Sequence, residues 1–505
     1  MAVLSNLEPK RVFEIFESLA SIPHGSRNTK AISDWCVKFG EERGLECHQD
    51  AANNVILIAP ATPGYENAPA VILQGHLDMV CEKDPGCAKN METEGLDLFV
   101  EGDTVGARGT TLGADDGIAV AMALAALEDK TLQHPRLEAV LTTDEEIGML
   151  GAMVMDVSPL QGRQMLNIDA DTEGMFIVGC AGGCQVTNAL PVHRTHFAGE
   201  TLAIKVSGLV GGHSGMEIGT GRANANKLQG RLLRAACGAA DTRLVSAAGG
   251  AKDNAICAAS ETVIVTADAA AVRAAVEELT RALKREYRVS DPNLSVSVET
   301  AEAQWAPMDA ESTRRVVTLL TCTPFGVQTM SQDMPGLVQT SLNLGIMYTD
   351  EDRQVLRASI RSSVATQKKA VLDQLICLTE QLGGTTEAEG DYPGWEYMPQ
   401  SPLRERMVEV YQEQYGKEPT IKAMHAGVEC GLFSEKLPGL DCVSFGPELS
   451  DIHTPRERMH IASVQRTWEL VKEVLKRSKQ ASKPQQALGT FCRGLAFLVP
   501  LWYHI

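Results

Sequence analysis

LEAVLTTDEEIGM, residues 137–149, sets an apolar run, LEAVLTT, directly against three consecutive acids, Asp144, Glu145 and Glu146. The run reads as a buried strand, and the acids stand at its mouth. Alone, the segment also fits a solvated strand-to-helix turn, because acids are favoured at a helix N-terminus. The rest of the chain decides between the two.

Strand-like and helix-like runs alternate around this stretch: NNVILIAP (53–60), APAVILQGH (68–76), the helical GIAVAMALAALED (117–129), then LEAVLTT and MLNIDA (165–170). That alternation predicts an α/β domain of three layers. From about Glu200 the character changes. TLAIKVSGL (201–209) and ETVIVTADA (261–269) alternate as strands, each followed by a helical stretch, ANANKLQGRLLRAACG (223–238) and AAVRAAVEELTRALKREY (270–287). This pattern predicts a separate α+β domain. After the helical AVLDQLICLTEQLGG (370–384) and the linker-like TTEAEGDYPGW come another helix, PLRERMVEVYQEQYG (402–416), and a further buried strand, DCVSFG (441–446). The simplest account is one α/β domain, 1–195 and 385–478, interrupted by an inserted domain, 196–384, with a tail at 479–505.

A chain of 505 residues with 44% hydrophobic content buries a large core and divides into more than one domain. Its formal net charge of −19 repels a nucleic-acid backbone and an anionic membrane, which leaves a small solute or another protein as partner. The 13 cysteines are scattered, several inside apolar runs, with no C-x-x-C pair, as expected of reduced thiols. The start, MAVLSNLEPKRVFEIFESLA, reads as an amphipathic helix without the apolar core of a signal peptide, so a cytoplasmic protein is expected. The apolar part of the tail contains Arg493 and Pro500 and falls short of the ~20 residues of a membrane span. No span is expected.

The chemistry gathers at strand ends. VILQGHLDMV delivers His76 and Asp78, TTLGADDG delivers Asp115 and Asp116, LTTDEE delivers Glu145 and Glu146, MLNIDAD delivers Asp169, and VSFGPELSDIHTP delivers His453. In open α/β sheets that edge is where ligands bind. Several acids with two histidines repel one another unless a cation neutralises them. Imidazole and carboxylate without cysteine suit a catalytic zinc, with manganese or cobalt as alternatives, and the candidates exceed what one ion needs. Two ions sharing a carboxylate, roughly 3.5–4 Å apart, absorb them.

The set GHLDMV, GTTLGADDGI, TTDEEIGM, NIDAD, GCAGG, GLVGGHSG and HTPRERMHI resembles the dizinc metallopeptidases that include carboxypeptidase G, aminoacylases, carnosinases and peptidase T. SIPHGS, YPGW and HAGVECGLF narrow the resemblance to the branch of the aminoacyl-histidine dipeptidases, and it runs from about residue 5 to about residue 478. It implies a three-layer catalytic domain with an inserted lid and dimerisation domain, two Zn2+ ions, and a homodimer. By the same resemblance Asp115 bridges the ions, Glu146 and His453 complete one site, and His76 and Asp169 the other. Asp78 fixes the His76 imidazole as its outer partner. Glu145 is the general base that takes a proton from the attacking water and passes it to the leaving amine. The peptide after Asp115 is expected to be cis.

His213, in GGHSG, reads on its own as a surface turn residue; the resemblance makes it the histidine that crosses the dimer interface to a carbonyl oxygen in the partner's site. Asn254 lies where relatives have a substrate-contacting asparagine, although Cys257 replaces the following proline of their motif. Arg361 is either a surface arginine on an edge strand or a grip on a dipeptide's free carboxylate, with Arg357 as competitor. Glu429 is either an internally paired acid or a contact for the substrate's amino group. His425 and His460 are expected as buried hydrogen-bonded histidines, and Cys180 and Cys184 as packing residues. The implied activity is hydrolysis of unblocked dipeptides, Xaa-His such as carnosine included; an aminoacylase or tripeptidase is the alternative, and a silent binding protein the third reading.

Overall fold

The computed structural model describes residues 3–479; the tail expected from 479 onward lies, beyond that first residue, outside them. Eight strands form the first sheet, in the order Glu46–Gln49, Val55–Ala59, Leu137–Thr142, Val71–His76, Gln164–Asn167, Asp441–Ser444, Met175–Cys180, Thr420–Met424. Val71–His76 runs parallel to both its neighbours, and Asp441–Ser444 runs parallel to Gln164–Asn167. Parallel strands are covered on both faces, which is why LEAVLT is buried throughout.

Alternate residues of these strands serve different layers. Val55, Leu57, Leu73, Ala139 and Leu141 pack with Lys10–Ala20, Ala114–Glu128, Pro402–Tyr415 and Ile461–Arg477. Ile56, Ile58, Ile72 and Val140 pack on the other side with Leu150–Val154 and Glu429–Lys436. Each fully buried Leu, Ile or Phe contributes roughly 1.5–3 kcal/mol, so this double-sided core holds the sheet edge in place. Gly75 shows how tight the fit is: a Cβ there would lie 2.5 Å from Asp116 Oδ2 and 2.8 Å from the Ala119 Cβ. Only glycine lets the helix start sit against the strand end.

A second, antiparallel sheet of nine strands carries Ala225–Ala239, Ala269–Glu286, Ala310–Cys322 and Ala365–Gln381 on a core of its own. The segment 196–384 lies within it, and two strands outside that segment, Gly182–Pro191 and Thr385–Tyr392, add to it by pairing with each other, the former also with Arg353–Ser362. A third, four-stranded sheet joins Leu449–Ser450 and Arg458–His460 to Thr104–Ala107 and Leu98–Glu101. Among the described residues no helix is long and apolar enough to cross a membrane, and the twelve cysteines are free thiols.

Candidate metal centre

The five ligand candidates converge at the C-terminal edge of the first sheet. His76 ends its strand, Glu145 and Glu146 follow Thr142, Asp169 follows Asn167, and Asp115 opens the helix Ala114–Glu128. His453 comes from the hairpin loop between Leu449–Ser450 and Arg458–His460. Asp115 faces both ways: its Oδ1 lies 3.1 Å from His76 Nε2 and its Oδ2 lies 3.2 Å from His453 Nε2. Behind His76 stands Asp169, 3.7 Å away, and beside His453 stands Glu146, 2.9 Å away. The peptide bond between Asp115 and Asp116 is cis.

These distances fit a pair of cations. Ligands held tetrahedrally at about 2.1 Å from an ion sit about 3.4 Å from one another. Glu146 Oε1 is buried and, despite its closeness to the imidazole, makes no hydrogen bond among the described residues. A buried carboxylate oxygen set beside an imidazole nitrogen is a pair of donor atoms that a divalent cation would satisfy. His76, Asp115 and Glu146, and separately His76, Asp116 and Asp169, bring ligand atoms within 4.8 Å of one another. Asp116 has one oxygen committed, since Oδ2 accepts the His76 amide at 3.1 Å.

Without a cation, Glu145 and Asp169 are held toward their protonated forms. Burial, followed by repulsion from Glu146 and Asp115, pushes Glu145 up to about 7. Burial likewise drives Asp169 well above the carboxylate range, with Asp115 and Glu145 adding to it. The carboxylates of Asp115 and Glu146 push His453 up to about 10. An ion entering the site displaces these protons.

Asp78 works through a different atom from the one its spacing suggests. His76 Nδ1 lies 2.9 Å from the Asp78 main-chain carbonyl and 3.6 Å from its carboxylate. The carboxylate accepts Ser26 Oγ at 2.8 Å and the amides of Glu145 and Glu146 at 3.0 and 3.3 Å. Asp78 therefore fixes the acidic turn as well as the imidazole.

A cavity of about 260 Å3 opens on these groups, lined by Asp115, Glu145, Asp169 and His453 and by apolar Met424 and Val428. A larger one, about 480 Å3, lies between Ala225–Ala239 and Ala310–Cys322; it offers three arginines, a single acid and no histidine. Four of the five ligand candidates, Asp115, Glu146, Asp169 and His453, line the smaller.

The other site candidates gather elsewhere. His213 pairs with Ala255 across a two-residue ladder, and the Asn254 carbonyl accepts the Ser214 amide at 2.9 Å. Burial lowers His213, and the Arg361 charge lowers it further, which places the two near each other. Arg361 Nη1 donates to Tyr392 Oη at 3.1 Å and its buried Nε has no partner. Arg357 is engaged by Glu389 at 3.1 Å, so of the two arginines only Arg361 is without a carboxylate partner among the described residues. None of His213, Asn254 and Arg361 lines the metal cavity of this chain.

The segment MHAGVE, 424–429, links the two clusters. Met424 and Val428 line the metal cavity, whereas His425, buried, makes a 2.7 Å hydrogen bond to Ser341 beside Arg361. Glu429 is fully buried; its Oε2 accepts Gln74 Nε2 at 2.6 Å and Thr142 Oγ1 at 2.7 Å, while Oε1 has no partner. It is paired internally, under the strands that carry His76 and the acidic turn. His460 occupies the start of Ile461–Arg477, and Cys180 and Cys184 are buried.

Sequence reasoning passes over Ser26, Gln74 and Glu457. Ser26 lies in the quoted SIPHGS, and Gln74 sits two residues before His76 on its face of the strand. Glu457 hides among the charges of PRERM.

The profile of Peptidase family M20/M25/M40 matches residues 72–477. The cytosol non-specific dipeptidase of Escherichia coli (strain K12) is 38% identical over 480 residues, 94% of this chain and 99% of that protein. The crystal structure of aminoacylhistidine dipeptidase from Vibrio alginolyticus matches with a TM-score of 0.90 at 34% identity, covering 94% of this chain and 98% of that one. Aminopeptidase PepT from Bacillus cereus ATCC 10987 shares the fold at a TM-score of 0.54 and 15% identity, over 94% of this chain and 100% of its own. With the paired ligand geometry at the sheet edge and matches over nearly the whole length, the chain belongs to peptidase family M20/M25/M40.

Proposed function

We propose that the protein is a cytoplasmic, metal-dependent dipeptidase that hydrolyses unblocked dipeptides, Xaa-His among them. The observation that carries the reading is Asp115, whose two oxygens face two histidines, each backed by its own carboxylate. His76, Asp169 and Asp115 would hold one divalent cation, zinc by its donor set, and His453, Glu146 and Asp115 a second. When bound, the ions supply Lewis acidity, polarising the scissile carbonyl and making a water more acidic.

The chain's own groups do the rest. Glu145, raised by burial, takes the proton of the attacking water and delivers it to the leaving amine. Arg361 binds the dipeptide's free carboxylate, with Asn254 beside it, and His213 of a second copy donates to the carbonyl oxygen. The nine-stranded unit thus acts as lid and dimerisation domain. The relatives' names, a cytosol non-specific dipeptidase and an aminoacylhistidine dipeptidase, support both substrate class and compartment.

The test is a substrate panel on purified protein, chelator-stripped and reloaded with zinc or manganese: carnosine, Ala-His, Gly-Gly-Gly and N-acetyl-methionine. Metal-dependent cleavage of the two dipeptides is expected. Preference for the tripeptide or the acylated amino acid would replace the dipeptidase reading with tripeptidase or aminoacylase, and inactivity on a broad panel would favour a silent binding protein.

A further inference from the structure

Glu457 lies four residues beyond His453, and its side chain is directed away from the cavity toward the loop in front of Asp115. It is 2% exposed. Its Oε2 accepts the amides of Leu112 and Gly113 at 2.8 and 3.1 Å, and its Oε1 those of Ala114 and Asp115 at 2.9 and 3.4 Å. Four consecutive main-chain N–H groups thus converge on one carboxylate brought in from more than 340 residues along the chain. The helix Ala114–Glu128 has no side-chain cap of its own, since Gly113 stands at the cap position. Glu457 satisfies donors that the glycine cap leaves unmet, and they in turn offset part of the cost of burying its carboxylate.

The same residue ends the loop that presents His453. The Glu457 amide donates to the Thr454 carbonyl at 3.0 Å, closing the turn that directly follows His453, whose own φ is +61°. Arg458–His460 then pairs with Thr104–Ala107, the strand leading into the Asp115 loop. One carboxylate therefore fixes the hairpin of one ligand against the backbone of another. The orientation matters because Asp115 must present one oxygen to the His76 side and the other to the His453 side. A rotation of its loop would satisfy one side at the expense of the other.

We propose that Glu457 is the positioning residue for the shared ligand Asp115, setting the affinity of both cation sites together while touching neither cation. The inference rests on the metal-centre reading above. Outer partners of metal ligands typically contribute about 10–100-fold in affinity. Because Asp115 is common to both sites, its misplacement weakens both, whereas loss of a ligand belonging to one site weakens that site alone.

The experiment measures zinc binding to chelator-stripped full-length protein by competition with a chromogenic chelator, alongside the melting temperature of the metal-free form. Glu457→Gln keeps the side chain's size but turns an NH2 donor toward amide donors. It is expected to weaken both zinc ions in parallel, by about 10–100-fold, with Glu457→Asp recovering part of the loss and His453→Ala weakening one ion only. At saturating zinc, kcat of Glu457→Gln should fall while KM for a dipeptide holds. Two outcomes would overturn the proposal: a lower metal-free melting temperature with wild-type zinc affinities, or weakening of a single site. A wild-type chain that takes up no zinc would overturn the metal-centre reading and this inference with it.

Discussion

Asp144 adopts a φ of +54°, with its carboxylate accepting the Arg27 amide at 2.5 Å, and the turn it makes sends the next two side chains apart. Glu146 goes to His453, and Glu145 faces the cavity with no ligand-distance partner among the ion pairs. Glu145→Gln should therefore retain two cations by elemental analysis while kcat falls by about 10²–10⁴-fold, and Glu146→Gln should lose one cation. The opposite pattern would exchange the two roles. The raised acids also predict a pH dependence of the metal-free fold. Glu145 is held at about 7 against an ordinary 4.5, so between those values the folded chain keeps a proton that the unfolded chain releases, and stability falls as pH rises. Glu429, pushed up to about 8 by burial and by Glu145, extends the window. His453 acts in the same direction: its contribution is complete below 6.5 and is lost as pH rises toward 10. Chelator-treated protein should thus melt at progressively lower temperature from pH 5 to pH 8, and zinc should flatten the trend. Melting that rises with pH would contradict these assignments.

The strand Arg353–Ser362 carries Arg357 and Arg361 four residues apart on one face, and the elements beside it separate their tasks. Glu389 of Thr385–Tyr392 takes Arg357, whereas Tyr392 of the same strand offers Arg361 only a hydroxyl. Arg361→Ala should raise KM for dipeptides much more than for the corresponding dipeptide amides, and Arg357→Ala should spare both. Equal effects on both substrates would remove Arg361 from the site. Sequence alone leaves these two arginines undecided, since the strand that selects between them joins it through Gly182–Pro191, far away in the chain. The first sheet is easier to read. Its strands are short apolar runs whose alternate residues meet two helical layers, and every metal-ligand candidate but His453 follows one of those runs, or opens the helix behind, within a few residues. What stays hidden is the pairing between distant segments: the Asp78 carboxylate on the acidic turn, Glu429 under Gln74 and Thr142, and Glu457 on the Asp115 loop. Local spacing records which side chains leave a strand end, but the register that brings a remote acid to a backbone amide is set by the closed fold.

In the whole molecule the metal ligands and His213 belong to different sheets, and the histidine's own surroundings suit a task outside its chain. His213 Nδ1 accepts the amides of Gly215 and Met216 at 3.1 and 3.2 Å, which puts the ring proton on Nε2, a donor without a partner among the described residues. Exposed Val210 and Met216 flank it, at 53% and 63%, and exposed Ile147, Leu150 and Val154 flank the acidic turn, at 38%, 43% and 69%. Apolar side chains beside His213 and beside the acidic turn are what mutual burial between two copies would use. If His213 serves the partner's site, His213→Ala and Glu145→Gln should each be nearly inactive as pure dimers. Unfolded together in equal amounts and refolded, they should form about half mixed dimers by random pairing, and each mixed dimer has one site with both defects and one with neither. About a quarter of wild-type activity should then return, measured per active-site equivalent against refolded wild type. A histidine serving its own chain would leave one defect in every site of the mixed dimer. Refolded mixtures no more active than their parents would therefore place His213 in its own subunit's reaction, and the apolar residues beside it would need another explanation.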